Sequence, residues 1–238
     1  MLKRSARASF FPDAWVFPGG RVDASDARTP VNGTVPNLPD TLQASAVAAL
    51  RECFEEAGIW LGQGAPSAQL RDGLNNRTAN LVDDGPDNLC ADLHRLVWWA
   101  WWVTPAEEPR RYDTQFFLSL VHSEEVQDAC PDQTETVSHL WIRPSDAVQR
   151  ADQGRFFLAP PTLRTLEELA TFGSSKEAFA AGQSRVVHPI CPRVDASEVD
   201  GLEGWAIILP GHVSYPSEHP APPPHRLVFR AGKWNREP

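Results

Sequence analysis

The sequence predicts an α/β protein in which strands of a mixed sheet carry helices on both sides, with a β-rich extension at the C-terminus. Three patterns lead there. Residues 41–57 repeat apolar side chains at helical spacing, residues 94–103 are apolar on both alternating faces, and helix and strand patterns continue as far as residue 182. From residue 185 onward the chain is Pro-rich and offers only short strands.

In chain order, Ala14-Trp15-Val16-Phe17 reads as a strand closed by Pro18-Gly19-Gly20, where a glycine pair lets the backbone approach a ligand or ion closely. Residues 24–40 have loop composition. The helix over residues 41–57 begins at a capping box, Asp40 with Gln43, and ends at Gly58, which suits a left-handed terminal turn. Val47, Leu50, Phe54, Ala57 and Leu61 recur on its core face. Residues 63–92 are polar and hold one or two short helices. Residues 94–103 follow as a strand buried on both sides, and Trp98, Trp99, Trp101 and Trp102 read as core rather than as a base-stacking platform. Ala106-Glu107-Glu108-Pro109 is a loop leading to a strand over residues 112–121, and another strand is expected over residues 139–143. Helices are expected over about residues 146–153 and over residues 163–172, with a polar hinge at Gly173-Ser174-Ser175 and a short helix to Gly182. In the tail, strands over residues 205–209 and 226–229 are joined by an irregular linker at residues 220–224.

Composition bounds the function. A chain of 238 residues with 42% hydrophobic residues can bury a full core. A net charge of −9 opposes nucleic-acid binding, which rests on many phosphate-neutralising cations. Cys53, Cys90, Cys130 and Cys191 lie far apart with no metal-binding spacing, so they read as reduced interior residues of a cytoplasmic protein. No run is long and apolar enough for a membrane span, no signal-peptide core is present, and Asn235-Arg236-Glu237-Pro238 is not a peroxisomal address. The expected partner is a small-molecule nucleotide, with no nucleic acid and no membrane; a homodimer is left open.

The chemistry concentrates in Arg51-Glu52-Cys53-Phe54-Glu55-Glu56-Ala57-Gly58-Ile59, which sets three carboxylates on the face of the helix opposite its core stripe, outward toward solvent or a cleft. Glu55 and Glu56 fall in the last turn, where the macrodipole disfavours anions by about 0.3–1 kcal/mol each. Arg51 is the one cation nearby in sequence, and it precedes Glu55 in the less favourable orientation for a helical pair. A divalent cation would balance the charge, because Mg²⁺ and Mn²⁺ prefer carboxylate oxygens. Three clustered glutamates alone would read as a solvated acidic face. The neighbouring residues change that reading.

A Gly-rich loop followed by Arg-Glu-apolar-x-Glu-Glu-x-Gly-apolar resembles the box of the Nudix hydrolases, with Cys53 in the small apolar slot. The usual box sets its Arg fourteen positions after its Gly; here Gly20 and Arg51 are thirty-one apart, so residues 24–40 read as an insertion. Gln43 stands where the box has its first Glu, eight residues before the Arg. An interrupted box resembles the branch containing peroxisomal coenzyme A diphosphatases, and other segments fit it: Leu2-Lys3-Arg4-Ser5, Arg110-Arg111-Tyr112-Asp113-Thr114, Leu158-Ala159-Pro160-Pro161-Thr162 and Leu209-Pro210-Gly211. The resemblance implies an α/β/α sandwich, with a Nudix hydrolase domain over residues 1–182 and residues 183–238 as an extension packed on it. That family's sheet normally begins before the Leu-Lys-Arg segment, so a missing first strand and an unpaired sheet edge are expected.

By the same resemblance the activity is hydrolysis of a diphosphate bond with Mg²⁺ or Mn²⁺, held by Glu52, Glu55, Glu56 and the carbonyl of Gly20. Arg51 would orient a glutamate through a bidentate pair, and Glu135, in Thr134-Glu135-Thr136, is the candidate base or outer ligand. Coenzyme A or acyl-coenzyme A is the leading substrate, although Phe10-Phe11-Pro12-Asp13 occupies the place of the branch's coenzyme A signature. Arg4, Arg7, Arg21, Arg110, Arg111 and, beside them, Tyr112 are candidates for phosphate or nucleotide contact; each arginine alone reads equally as a solvated surface residue. ADP-ribose or a dinucleotide remains an alternative substrate. A nucleotide-binding module without turnover is the alternative of another class, with Gln43 and the interrupted box in its favour and three clustered carboxylates against it.

Overall fold

The computed structural model describes residues 1–8, 11–106, 108, 110–195 and 205–237. Phe10, Glu107, Pro109 and Pro238 lie outside the described residues. The elements run β1 (Leu2–Arg4), β2 (Trp15–Val16), β3 (Val31–Asn32), α1 (Gln43–Ala57), β4 (Gly62–Gln63), α2 (Ala68–Asn75), α3 (Leu81–Asp84), β5 (Cys90–Asp92), β6 (Leu96–Val103) and β7 (Asp113–Ser119). They continue with β8 (Thr136–His139), α4 (Pro144–Asp152), α5 (Pro160–Leu169), α6 (Ser175–Gln183), β9 (Pro189–Ile190), β10 (Arg193–Asp195), β11 (Ala206–Ile208), β12 (Arg226–Arg230) and β13 (Lys233–Glu237). Parallel and antiparallel pairs coexist: β3 runs parallel to β5 and β6 to β9, whereas β1, β4 and β10–β13 pair antiparallel. Among the described residues, mixed sheets with six α-helices fit the expected α/β class.

The chain divides into two compact units. One comprises Met1–Trp99, Phe117–Trp141 and Ser174–Arg185. It contains the sheet β2-β1-β8, the sheet β3-β5-β4 and helices α1, α2, α3 and α6. Strand β1 has a neighbour on each side, so the unpaired edge expected beside the Leu-Lys-Arg segment does not lie there. Helix α1 buries Val47, Leu50, Phe54 and Ala57, as its periodicity requires. Phe54 packs with Leu70, Leu74, Leu81 and Leu89, and Trp60 meets it edge to face. This joins α2 and α3 to the face of α1 opposite its acidic residues.

Four expectations change here. Asp40–Leu42 forms a 3₁₀ turn and α1 proper starts at Gln43, with no side-chain cap, so Asp40 and Gln43 make no capping box. The turn does that work with backbone alone: Leu42 N–H donates to Pro39 O and Gln43 N–H to Asp40 O. The stretch over residues 24–40 is not uniform loop, because Asp26–Arg28 is a 3₁₀ turn and Val31 and Asn32 pair in parallel with Ala91 and Asp92. The strand expected over residues 139–143 lies at Thr136–His139, where register with Leu2–Arg4 fixes it, and Pro144 opens α4 directly after Arg143.

The fourth change concerns the other unit, Ala100–Phe116, Ile142–Gly173 and Val186–Pro238. Its tail holds the antiparallel sheet β10-β11-β12-β13, and β13 has no counterpart in the sequence reading. The β12–β13 hairpin turns through Ala231 (φ 53°) and Gly232 (φ 75°), a two-residue turn with both residues left-handed. Asn-Gly or Asp-Gly signals such a turn in sequence; Ala-Gly does not. Arg236 bonds Glu167 of α5 and Asp152 of α4, and the buried Arg164 donates to the carbonyls of Pro222 and Pro223, which fastens the sheet to both helices. Strand β6 lies between β7 and β9, with Trp98, Trp99 and Trp102 buried, so these aromatics are core. Among the described residues no helix is long and apolar enough to cross a membrane.

Candidate active site

Arg51 sits mid-helix on α1, 3% exposed, and is the hub of the site. Its Nε donates to Asp26 Oδ1 at 2.8 Å and its Nη2 to Asp26 Oδ2 at 3.0 Å, a bidentate pair in which Asp26 is 1% exposed. Its Nη1 donates to Glu52 Oε1 at 2.9 Å and to Glu55 Oε1 at 2.7 Å, and its Nη2 also reaches the carbonyl of Arg21 at 2.6 Å. One guanidinium therefore holds two glutamates of α1 and two points of the loop that crosses it. Burial opposes the charge of Arg51, but these carboxylates outweigh burial and raise its pKa.

The loop completes the enclosure. Gly19 N–H donates to Glu56 Oε2 at 3.1 Å, and a Cβ on Gly20 would lie 2.3 Å from Glu52 Oε1, so any larger residue there displaces the Glu52 carboxylate or the loop. Asp23 N–H donates to Asp26 Oδ2 at 2.7 Å, which aims the Asp26 carboxylate inward. Consequently the acidic face of α1 does not look out to solvent: Glu56 is 6% exposed and Glu52 and Glu55 are largely covered. The reason is residues 19–26, which the helical pattern of α1 alone does not reveal.

Enclosure changes the acids. Burial pushes Glu52 up to about 7 despite the Arg51 charge, and Glu56 up to about 8 despite the Gly19 hydrogen bond; Glu55 is raised as well, again by burial. Three largely buried carboxylates, with the backbone of Gly20 next to Glu52, offer oxygen donors only, a set that suits a hard divalent cation. In the arrangement described, Arg51 draws Glu52 and Glu55 to itself and Gly19 holds Glu56, so no three acidic, His or Cys side chains among the described residues converge on one point.

Glu135 is exposed, and its charge is felt by both Glu52 and Glu56. It is carried by a turn that Asp132 organises by accepting from the N–H groups of Thr134, Glu135 and Thr136 and from both threonine hydroxyls. These bonds hold Asp132 below the ordinary aspartate range, although burial acts the other way. Arg4 pairs with Thr136 across β1 and β8, which brings it beside this turn, and its Nε is buried with no hydrogen-bond partner. Arg21 contributes its carbonyl, while its side chain is exposed. Arg111 and Tyr112 are exposed in the other unit, where Thr104 takes up the Arg111 Nε–H through its carbonyl and the Tyr112 N–H through its hydroxyl. Gln43 is merely the first residue of α1. Asp26, absent from the sequence reading, lies six residues after Gly20; that spacing is where an uninterrupted box carries its first carboxylate, and it was the available signal.

Comparison with known proteins matches this pattern. The family model of the NUDT19 Nudix domain matches residues 29–169, more than half of the chain. "Putative nudix hydrolase 7" of Caenorhabditis elegans is 34% identical over 200 residues, 81% of this chain and 62% of that protein, so the chain spans less than two thirds of its length. Proteins named acyl-coenzyme A diphosphatase NUDT19 are 28% identical in Gallus gallus and 27% in Homo sapiens, covering 91% and 88% of this chain and 72% and 67% of theirs. Among solved structures, a NUDIX hydrolase from Alicyclobacillus acidocaldarius superposes with a TM-score of 0.64 at 26% identity, over 75% of this chain and 86% of that one.

Proposed function

We propose a reaction from a premise that these comparisons supply: the chain belongs to the Nudix hydrolase family and has the α/β fold of that family. The reaction is hydrolysis of the diphosphate bond in a nucleoside diphosphate joined to a second group, with coenzyme A or acyl-coenzyme A as substrate. The names of the Gallus and human relatives support that substrate; the carrying observation is the buried Asp26–Arg51 pair, which fixes Glu52 and Glu55 under the Gly19-Gly20 loop. The catalytic part lies within residues 1–182, a reading supported by the matched span 29–169. Four cysteines outside any disulfide support a reducing, cytoplasmic setting.

Glu52, Glu55, Glu56 and the Gly20 carbonyl would hold Mg²⁺ or Mn²⁺, which when bound neutralises diphosphate charge and acidifies an attacking water. The protein's own groups do the rest. Arg51 aims Glu52 and Glu55 and offsets part of the burial that raises them, because a buried carboxylate facing a guanidinium loses less by being charged. Glu135, exposed and outside that ion-pair network, accepts the proton of the water. Arg4, with a buried and unsatisfied Nε beside the Glu135 turn, supplies a cation toward a phosphate oxygen. Water adds across the anhydride, and two phosphate monoesters leave.

The test is cleavage by the purified full chain of coenzyme A, acyl-coenzyme A, ADP-ribose, NADH and a diadenosine compound, with Mg²⁺ or Mn²⁺ and with Glu56→Gln as control. Release of adenosine bisphosphate and phosphopantetheine from coenzyme A, with turnover at least about 10³-fold lower in Glu56→Gln, is expected. Cleavage of another member alone keeps the mechanism and removes coenzyme A. No cleavage of any member by folded protein overturns the reaction.

A further inference from the structure

A helix that ends in a left-handed glycine leaves carbonyls of its last turn to be satisfied from elsewhere. In α1, Gly58 N–H takes the Phe54 carbonyl and Ile59 N–H that of Cys53, but the Glu55 carbonyl accepts from the Nε of Arg71 in α2 at 2.9 Å and from Asn75 Nδ2 at 3.4 Å. The other end of the same guanidinium reaches forward in the chain: Nη2 donates to the Cys130 carbonyl at 2.7 Å and Nη1 to its Sγ at 3.0 Å. Cys130 N–H in turn donates to Ala57 O at 3.0 Å. Two residues later begins the turn that Asp132 ties together and that carries Glu135, whose own carbonyl accepts from Ser5 N–H at 2.9 Å. A single side chain outside the family's box thus joins the end of the glutamate helix to the loop of the candidate base.

We propose that Arg71 is a positioning residue, fastening residues 130–136 to the last turn of α1 so that Glu135 is held against the face bearing Glu52 and Glu56. The inference rests on the reaction proposed above. It concerns placement and not substrate contact, because all three Arg71 side-chain bonds described here go to the protein. Misplacing a base by less than an ångström costs rate while leaving substrate binding in place.

The experiment is a double-mutant cycle on the full chain, with the substrate of the panel that the wild type cleaves fastest. Arg71→Leu alone is expected to lower kcat about 10-fold with KM changed less than about 2-fold; in the Glu135→Gln background it should lower kcat less than about 2-fold further. Arg71→Lys keeps the charge but not the fork, and is expected to recover only part of the loss. Equal losses in both backgrounds would mean a merely structural role and overturn the proposal, as would a Glu135→Gln variant with unchanged kcat. Hydrogen exchange supplies a readout free of turnover: in Arg71→Lys, amides of residues 130–136 should exchange faster while those of β11 and β12 do not change. Unchanged exchange at residues 130–136 overturns the clamp itself, whereas absence of turnover in the wild type overturns the reaction and leaves the clamp to the exchange result.

Discussion

Residues 51–58 and residues 19–26 meet at one guanidinium, yet the chain specifies them in different ways. The first stretch lies on a 15-residue α-helix whose apolar stripe fixes which way each residue points, so Glu52, Glu55 and Glu56 follow from helical spacing. The second has two strand residues before it and a 3₁₀ turn starting at its last residue, and it owes its place to contacts with partners 25 to 37 residues away. Local periodicity builds one wall of the site and long-range hydrogen bonds build the other. The difference teaches that burial of the acids, and with it their chemistry, is set by the wall without periodicity.

The sharpest way to break that comparison is to remove the loop's buried carboxylate. Asp26→Ala leaves Arg51 buried with two of its five hydrogen bonds lost, and breaking a buried pair from one side costs about 3 kcal/mol or more. Turnover should fall with it, because the guanidinium that aims Glu52 and Glu55 loses its anchor. Asp26→Asn, which keeps the shape but not the charge, should lie between. Denaturant unfolding and kcat measured on the same preparations check this; a stability within about 0.5 kcal/mol of wild type would make the loop an ornament and return the site to the helix alone.

Gly20→Ala probes the same wall at its closest approach. A methyl group there would sit 2.3 Å from Glu52 Oε1, so Glu52 must move off Arg51 or the loop must lift. The expected result is a loss of about 10-fold in kcat with a folded protein. Gly19→Ala, where a Cβ meets nothing within 4 Å, is the control and should change kcat less than about 2-fold. Equal behaviour of the two variants would show that the loop stands further from α1 than described.

The third probe is pH. Glu52 at about 7 and Glu56 at about 8 lie above the ordinary carboxylate value of 4.5 because the loop buries them. Burial therefore favours the neutral acids, so their contribution to stability is full below about pH 4.5 and is lost as pH rises through 7 to 8. In metal-free buffer the Tm should fall by about 3 °C or more between pH 6 and pH 8.5, and Mn²⁺ should raise Tm more at pH 8.5 than at pH 6. Glu56→Gln should flatten the metal-free slope. A Tm that rises across this interval would contradict the enclosure.

These contrasts also mark what residue order can reveal. Helix α1, the buried Trp strand β6, the amphipathic α5 and the tail strands β11 and β12 each carry their own period and are readable from it, to within a few residues at the ends. The 3₁₀ entry to α1 is not, because backbone carbonyls cap it without a characteristic side chain. Strand β8 is displaced from its expected place because register with β1 decides it, and β13 escapes notice because its turn is Ala231-Gly232. Likewise Glu52, Glu55 and Glu56 are readable as a trio, but Asp26 becomes visible only when counted forward from Gly20 across the start of the insertion instead of backward from Arg51.

Counting backward selects Gln43, and that choice makes the last prediction. Gln43 opens α1 with its backbone N–H on Asp40 O, and Arg51, two helical turns on, directs its nitrogens to Asp26, Glu52, Glu55 and the Arg21 carbonyl. Gln43→Ala should therefore shift stability by no more than about 0.5 kcal/mol, the range of an ordinary helix-surface change, and leave kcat within about 2-fold. Measured beside Asp26→Ala it assigns the missing carboxylate of the box to one end of the insertion or the other. If Gln43→Ala proved the more damaging of the two, the anchor of Arg51 would lie on its own helix, and the insertion would be free of the role that its buried aspartate now carries.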